Sequence, residues 1–293
     1  MRCVMPANSF QLQFQREFTT PAKPFVKWVG GKRRVIPNLI SEMPDDFEHY
    51  YEPFIGGGAL FFHLRSLNVL ADHKITIADA NLRLVRTYRA IRDDVEGVIE
   101  RLEQHQKRNA KEYFYQVRDI EVDRYKRDAD VAAWFIYLNK TAFNGLYRVN
   151  KKNRFNAPFG KYKNPNICDV ENLLICNAAL QTVEILHGCF DYSSKAAKPG
   201  DFVYFDPPYV PVSLSANFTS YTKDGFGSLE QIILRDHALR LKKKGVQVML
   251  SNAEHPFVRE LYQEGFNIAS ILVGRAINCK GDKRGSVGEV VIT

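Results

Sequence analysis

The five cysteines (Cys3, Cys168, Cys176, Cys189 and Cys279) are scattered, with no C-x-x-C pair and no Cys/His cluster of ligand spacing. That pattern argues against a disulfide framework and a structural zinc site and fits reduced thiols. No apolar run approaches the roughly 20 residues a membrane span needs. The opening 18 residues also lack the apolar core of a secretory signal, so a soluble, cytoplasmic protein is expected. Internal repeats and low-complexity tracts are absent. Two phosphate-binding signatures fail as well. Gly30-Gly31-Lys32 is followed by Arg33 and has the wrong upstream spacing for a P-loop. Gly56-Gly57-Gly58 has Phe61 where the dinucleotide fingerprint needs a third glycine, and Glu52-Pro53 stands before the turn.

What is present is an ordinary globular chain of 293 residues, 45% hydrophobic and 25% charged. Its length predicts one domain with a sizeable insertion, or two domains. A formal net charge of +8 leans weakly toward a polyanionic partner. Residues 1–23 are polar and glutamine-rich, an attached arm. Phe25 to Arg33 follows, with Trp28, paired glycines and Lys32 ahead of an apolar-periodic segment. His49 to Phe62 then reads as an aromatic strand, a glycine turn and a helix, the first βα unit of a Rossmann-like sheet. The strand from Lys74 ends at Asp79, about 20 residues after the glycines, where an acid takes ribose hydroxyls. The plainer alternative for Asp79 is a helix N-cap before Leu82. The two strands, the turn and the acid together favour a nucleoside site, cationic rather than pyrophosphate-bearing.

The strongest single stretch is Asp201 to Tyr209. Phe202-Val203-Tyr204-Phe205 is a buried-strand pattern, stopped by Asp206-Pro207-Pro208-Tyr209, because two prolines remove two donors and fix both φ angles. Asp206 is therefore expected just beyond the carboxyl end of a parallel strand. Asp206 and the Pro207 carbonyl can accept from an exocyclic amine while Tyr209 stacks on its ring. The plain alternative is a Pro-Pro turn with Asp206 as a cap.

Between residues 82 and about 140 the α/β alternation gives way to charged, helix-periodic sequence, which marks an insertion. It ends in a buried helix around Ala132–Asn139. Lys140 to Lys163 follows, rich in Lys and Arg interleaved with Phe, Tyr and Asn. Its turn signals predict a hairpin with Leu146–Val149 facing Arg154–Ala157. Basic, aromatic and amide side chains together suit phosphate contact and base-edge reading; a solvated basic loop is the alternative. Alternation resumes near residue 169, with a strand expected over Leu180–Ile185. A polar loop at 213–224 carrying Phe218 and Tyr221 is placed to close over the site. A helix over Leu229–Lys243 and a strand over Val246–Leu250 follow. A basic glycine-rich loop at 275–288 leads into a closing strand over Glu289–Ile292.

In this order of motifs the chain, from about Phe25 to Thr293, resembles the Dam family of DNA adenine-N6 methyltransferases, especially its DpnM-type members. The Tyr137-Leu138-Asn139, Phe143 to Asn150 and Phe155 to Pro165 stretches are specific to that family. The resemblance implies a class I methyltransferase sheet formed by residues 24–81 and 169–293, with an inserted target-recognition domain at 82–168. It implies an S-adenosyl-L-methionine pocket at Trp28, Gly30, Gly31, Lys32, Glu52, Phe54, Gly56, Gly58 and Asp79, with Asp206 contributing. Asp206, Pro207, Pro208 and Tyr209 match the catalytic tetrapeptide. Lys27, Phe143, Asn144, Leu146 and Arg148 match DNA-reading positions, with Arg154 and Pro158 on the matching hairpin. Double-stranded GATC is the implied target and no metal is implied. Lys140-Thr141-Ala142 departs from the tyrosine-rich enteric version, which bears on flanking preference and processivity. Three questions stay open: restriction protection or regulatory methylation, monomer or weak dimer, and whether the chain is instead a silent DNA-binding regulator. RNA or protein amides are more remote substrates.

Overall fold

The computed structural model describes residues 20–209, 226–273 and 287–293. The arm at 1–19, the loop with Phe218 and Tyr221, and the basic loop from 275 to 286 lie outside the described residues.

Helix α1 (Ile36–Ser41) follows a 3-10 turn at Lys32–Arg34. Strand β1 (His49–Glu52), helix α2 (Ala59–Ser66) and strand β2 (Lys74–Asp79) form the first βαβ unit. Four helices come next: α3 (Leu82–Asp93), α4 (Val95–Arg108), α5 (Lys111–Arg118) and α6 (Asp128–Thr141). The sheet resumes through α7 (Val170–Leu180), β3 (Val183–His187), the short α8 (Phe190–Ser193) and β4 (Phe202–Phe205). It closes with α9 (Ser228–Lys243), β5 (Gln247–Ala253), α10 (Pro256–Tyr262), β6 (Ile268–Val273) and β7 (Val287–Ile292).

The seven strands make one sheet in the order β3-β2-β1-β4-β5-β7-β6. All neighbours are parallel except β7, which runs antiparallel to both β5 and β6. All four residues of β4 are buried, as are Ile75 to Ala78 of β2, so these strands are covered on both faces. The chain moves outward one way from β1 to β3 and the other way from β4 to β5. The crevice between the carboxyl ends of β1 and β4 is thus the switch point, where open parallel sheets bind their ligands. This is the expected Rossmann-like α/β sheet.

Helix α6 is buried on nearly every side, as its unbroken apolar run demands. Its Trp134 Nε1 donates to the Val117 carbonyl at 2.8 Å. Arg83 joins the helices to the hairpin: Nε and Nη2 grip Asp123 at 2.7 and 2.6 Å, Nη2 also reaches the Asn153 carbonyl at 2.7 Å, and Nη1 reaches the Tyr147 hydroxyl at 3.3 Å. Helix α3 also docks on the sheet, since Arg89 and Arg92 donate to the Ile185 and Val183 carbonyls of β3 at 2.7 and 2.8 Å. The predicted hairpin forms around the bridge Val149–Phe155, with Asn150 N donating to Arg154 O and Asn156 N to Arg148 O, each at 2.9 Å. It has isolated bridges rather than a continuous ladder.

Several sequence expectations are corrected. Strand β3 begins at Val183 rather than Leu180. Leu180 ends α7, and the turn that separates them puts Thr182 at φ +66°. Leu-Gln-Thr-Val-Glu-Ile alternates like a strand, but its first apolar residue belongs to the helical stripe before it. Strand β6 was not foreseen at all. The N-cap of α3 is Asn81, whose side chain accepts from Arg83 and Leu84 N; Asp79 is left for another role.

Candidate active site

The first wall of the crevice is the turn after β1. Glu52 ends the strand fully buried, its Oε2 accepting from the Tyr50 hydroxyl at 2.8 Å. Burial pushes its carboxyl up to about 8, against the opposing help of the Tyr50 bond. Gly56 and Gly58 take φ of +47° and +72°. A Cβ on Gly56 would lie 2.6 Å from Trp28 Nε1, so the glycine lets the indole pack directly against the backbone. Asp79, at the tip of β2, holds this turn: Oδ2 accepts from Gly56 N at 3.1 Å and Oδ1 from Asn81 N at 2.8 Å. Burial lifts its carboxyl to about 6.

The second wall is the end of β4. Asp206 Oδ1 accepts from Lys32 Nζ at 2.9 Å and from Ser251 Oγ at 2.8 Å. Among the described residues nothing donates to Oδ2, so one oxygen is anchored and the other keeps its capacity to accept. Burial raises the Asp206 carboxyl above its usual range, against the pull of Lys32. With the Ser251 proton committed to Asp206, the Tyr204 hydroxyl donates to Ser251 Oγ at 2.9 Å. The two prolines divide their carbonyls. Pro208 O accepts from Gln231 Nε2 at 3.0 Å, and Asn252 steadies that amide at 3.0 Å. Pro207 O has no donor among the described residues. Lys32 Nζ lies 4.1 Å from the Tyr209 ring centroid and donates to the ring's hydroxyl.

Between these walls lies a cleft of about 810 Å³. Trp28, Gly30, Gly31, Lys32, Glu52, Phe54, Gly56, Gly58 and Asp79 all line it, together with Asp206, Pro207, Pro208 and Tyr209. Reasoning from motifs missed the far side, where Phe190 and Phe226 pack on Phe54 with centroids 5.5 and 5.6 Å away. Neither belongs to a motif; only the fold brings the residues after β3 to this mouth.

Of the seven DNA-facing expectations, Lys27 lines the cleft and the other six do not. Phe143, half exposed, and Asn144, at φ +55°, form a 3-10 turn beside Lys27. Phe143 N donates to Pro158 O at 2.8 Å, which ties the turn to the hairpin's return strand. Leu146 is half-buried against the core. Arg148 is held by Asn156, with Nε on Oδ1 at 2.7 Å and Nη2 on the carbonyl at 3.0 Å. Arg154 stands apart, paired with Glu121 at 2.6 Å. Tyr147 stacks on Phe135 at 4.6 Å and on Trp28 at 6.1 Å, joining this surface to the cleft wall.

Residues 28–277 match the profile of the D12 class N6 adenine-specific DNA methyltransferases. The type II methyltransferase M1.LlaDCHI of Lactococcus lactis subsp. cremoris is 45% identical over 276 residues, 92% of this chain and 95% of its own. M.MjaIII of Methanocaldococcus jannaschii is 42% identical over 89% of this chain and 95% of its own. The DNA adenine methylase of Haemophilus influenzae is 32% identical over 92% of each chain. The chain belongs to the D12 class of adenine-specific DNA methyltransferases. Its family and fold imply S-adenosylmethionine-dependent catalysis with DNA as substrate, and the cleft suits such a donor. Buried Glu52 has no cation of the protein beside it among the described residues and lines the cleft with the backbone of the glycine turn.

Two outcomes follow for this methyltransferase. Gly56→Ala drives a methyl into Trp28 at a positive φ, so cofactor affinity by calorimetry is expected to fall at least about tenfold. Glu52 binds its proton more tightly folded than unfolded. It therefore takes stability away as pH rises from its ordinary value of 4.5 through about 8. Glu52→Gln should melt higher than the wild type at pH 8 and no higher at pH 4. Equal melting temperatures at both pH values would contradict the buried, neutral carboxyl.

Proposed function

We propose that this methyltransferase moves a methyl group from S-adenosyl-L-methionine to N6 of an adenine flipped out of double-stranded GATC. The observation that carries the reading is Asp206 at the switch point, lining the cleft, with Oδ1 tethered by Lys32 and Ser251 and no donor to Oδ2 among the described residues. Adenine N6 is a poor nucleophile because its lone pair is delocalised into the ring. Asp206 Oδ2 and Pro207 O accept its two N–H groups and favour a pyramidal nitrogen with a free lone pair. S-adenosylmethionine supplies an electrophilic methyl on a sulfonium and leaves as the neutral thioether. The cleft's own contribution is to hold the nitrogen in line at near-attack distance. As the N–C bond forms, one N6 proton must leave, and a carboxylate lifted by burial is suited to accept it. Tyr209 stacks on the extruded base, and exposed Phe143 fills the vacated stack.

Residues 82–168 serve as the target-recognition unit and residues 24–81 with 169–293 as the catalytic domain. Lys27, Asn144, Leu146, Arg148, Arg154 and Pro158 face DNA. Arg148 is the base reader: Asn156 fixes one edge of its guanidinium and leaves the Nη edge to meet a guanine. Arg148→Ala is expected to cost roughly 1–3 kcal/mol of discrimination at one base position. Unchanged preference among single-base variants would refute that role. The reading as a whole is tested by methyl transfer to two duplexes that differ only in GATC versus GTTC. Label in the first alone supports it; label in both discards the target, and label in neither discards the activity.

A further inference from the structure

Glu289 belongs to none of the sequence motifs, yet its carboxylate enters the Asp206 cluster. Its Oε2 accepts from the Tyr209 hydroxyl at 2.7 Å and lies 3.6 Å from Lys32 Nζ. Lys32 is only 4% exposed and stands between two carboxylates, Asp206 and Glu289, each 22% exposed. The position is rigid. Glu289 is in the middle of β7, in register with Ala253 of β5 on one side and Ile271 of β6 on the other.

Two physical consequences follow. A buried ammonium is costly without a counter-ion. If Asp206 alone balanced Lys32, each hydrogen bond that Asp206 accepted from a base would weaken the cation's only partner. A second carboxylate at 3.6 Å keeps the charge paired while Asp206 turns to N6. The other consequence concerns the ring. The Tyr209 hydroxyl is fixed between Lys32 and Glu289, with the ammonium at the hydroxyl end of the ring, 4.1 Å from its centroid. The ring is thereby held at its hydroxyl end.

We infer that Glu289 is a positioning residue for the methyl transfer, fixing the Tyr209 ring through its hydroxyl and sharing the Lys32 charge so that Asp206 can hold the amine. This rests on the methyl-transfer reading above. Glu289 touches neither the base nor the methyl donor in this scheme and acts wholly through Tyr209 and Lys32.

The test uses single-turnover methyl transfer to unmethylated plasmid DNA by the full chain and by Glu289→Ala, Glu289→Gln, Tyr209→Phe and the Glu289→Ala/Tyr209→Phe pair. S-adenosylmethionine affinity and melting temperature are measured on each protein. Glu289→Ala is expected to slow transfer roughly 100-fold, the size of effect that misplacement of reacting groups produces, with cofactor affinity within about threefold. Glu289→Gln keeps an acceptor for the hydroxyl and should regain roughly tenfold of that loss. The paired variant should be no slower than Glu289→Ala by more than about twofold, because both changes break one connection. A wild-type rate for Glu289→Ala overturns the inference. So does a loss matched by an equal fall in cofactor affinity, or a paired effect equal to the product of the single ones. If the wild-type chain transfers no methyl group at all, the parent reading falls and Glu289's role with it. If it transfers normally and only the Glu289 comparisons fail, the parent reading stands alone.

Discussion

Asp206→Asn is expected to slow methyl transfer by at least roughly 10³-fold while S-adenosylmethionine affinity stays within about tenfold. The substitution is nearly isosteric, and its amide oxygen can still accept from Ser251 or Lys32. It removes the negative charge opposite Lys32 and puts an NH2 group where an acceptor or its anchor must be. The amine of the base then meets a donor, and the proton it must shed has no carboxylate to go to. Cofactor binding is less exposed to the change, because the glycine turn, Glu52 and Asp79 lie on the other wall. Single-turnover rates set against calorimetric affinity separate the two effects. Wild-type turnover in this variant would remove Asp206 from the mechanism.

The second large effect is on folding. Asn139→Ala should lower the free energy of unfolding by about 3–5 kcal/mol, since three backbone groups lose their partner at once. Asn139 is fully buried in α6. Its Oδ1 accepts from Lys27 N at 2.7 Å, and its Nδ2 donates to Lys27 O at 2.8 Å and Gly145 O at 2.9 Å. One amide therefore clamps the segment before the cleft to the turn that carries Phe143 and Asn144. Urea unfolding with an unchanged slope would measure the loss, and DNA affinity should fall more than cofactor affinity in the same variant. A loss below about 1 kcal/mol would mean that these groups find water or other partners.

Much of the site was legible in sequence because each motif sits where a strand must stop. Pro207-Pro208 cannot continue β4, and Gly56 to Gly58 cannot continue β1, so both place their acids at carboxyl ends. The sheet then needs no further information to bring Asp206 and Glu52 into one cleft. Ser251, Gln231, Asn252 and Glu289 were not legible as site residues. They come from β5, α9 and β7, and only the strand order, with β7 inserted between β5 and β6, brings them to the DPPY turn. Asn139 could be read as one polar residue in a buried helix, a signal of a satisfied amide, but its partner at Lys27 is 112 residues away. Strand β6 was missed because its apolar run leads into a stretch dominated by basic and glycine residues, which reads as loop.

On the reading proposed above, the cleft between β1 and β4 methylates adenine at N6 through Asp206. That reading is tested most directly by incubating the wild type and Asp206→Asn with isotopically methyl-labelled S-adenosylmethionine and unmethylated DNA, then digesting the DNA to nucleosides for mass spectrometry. The label should appear in N6-methyladenine with the wild type and be absent with the variant. Label in a methylated cytosine, or equal N6-methyladenine from both proteins, would contradict it.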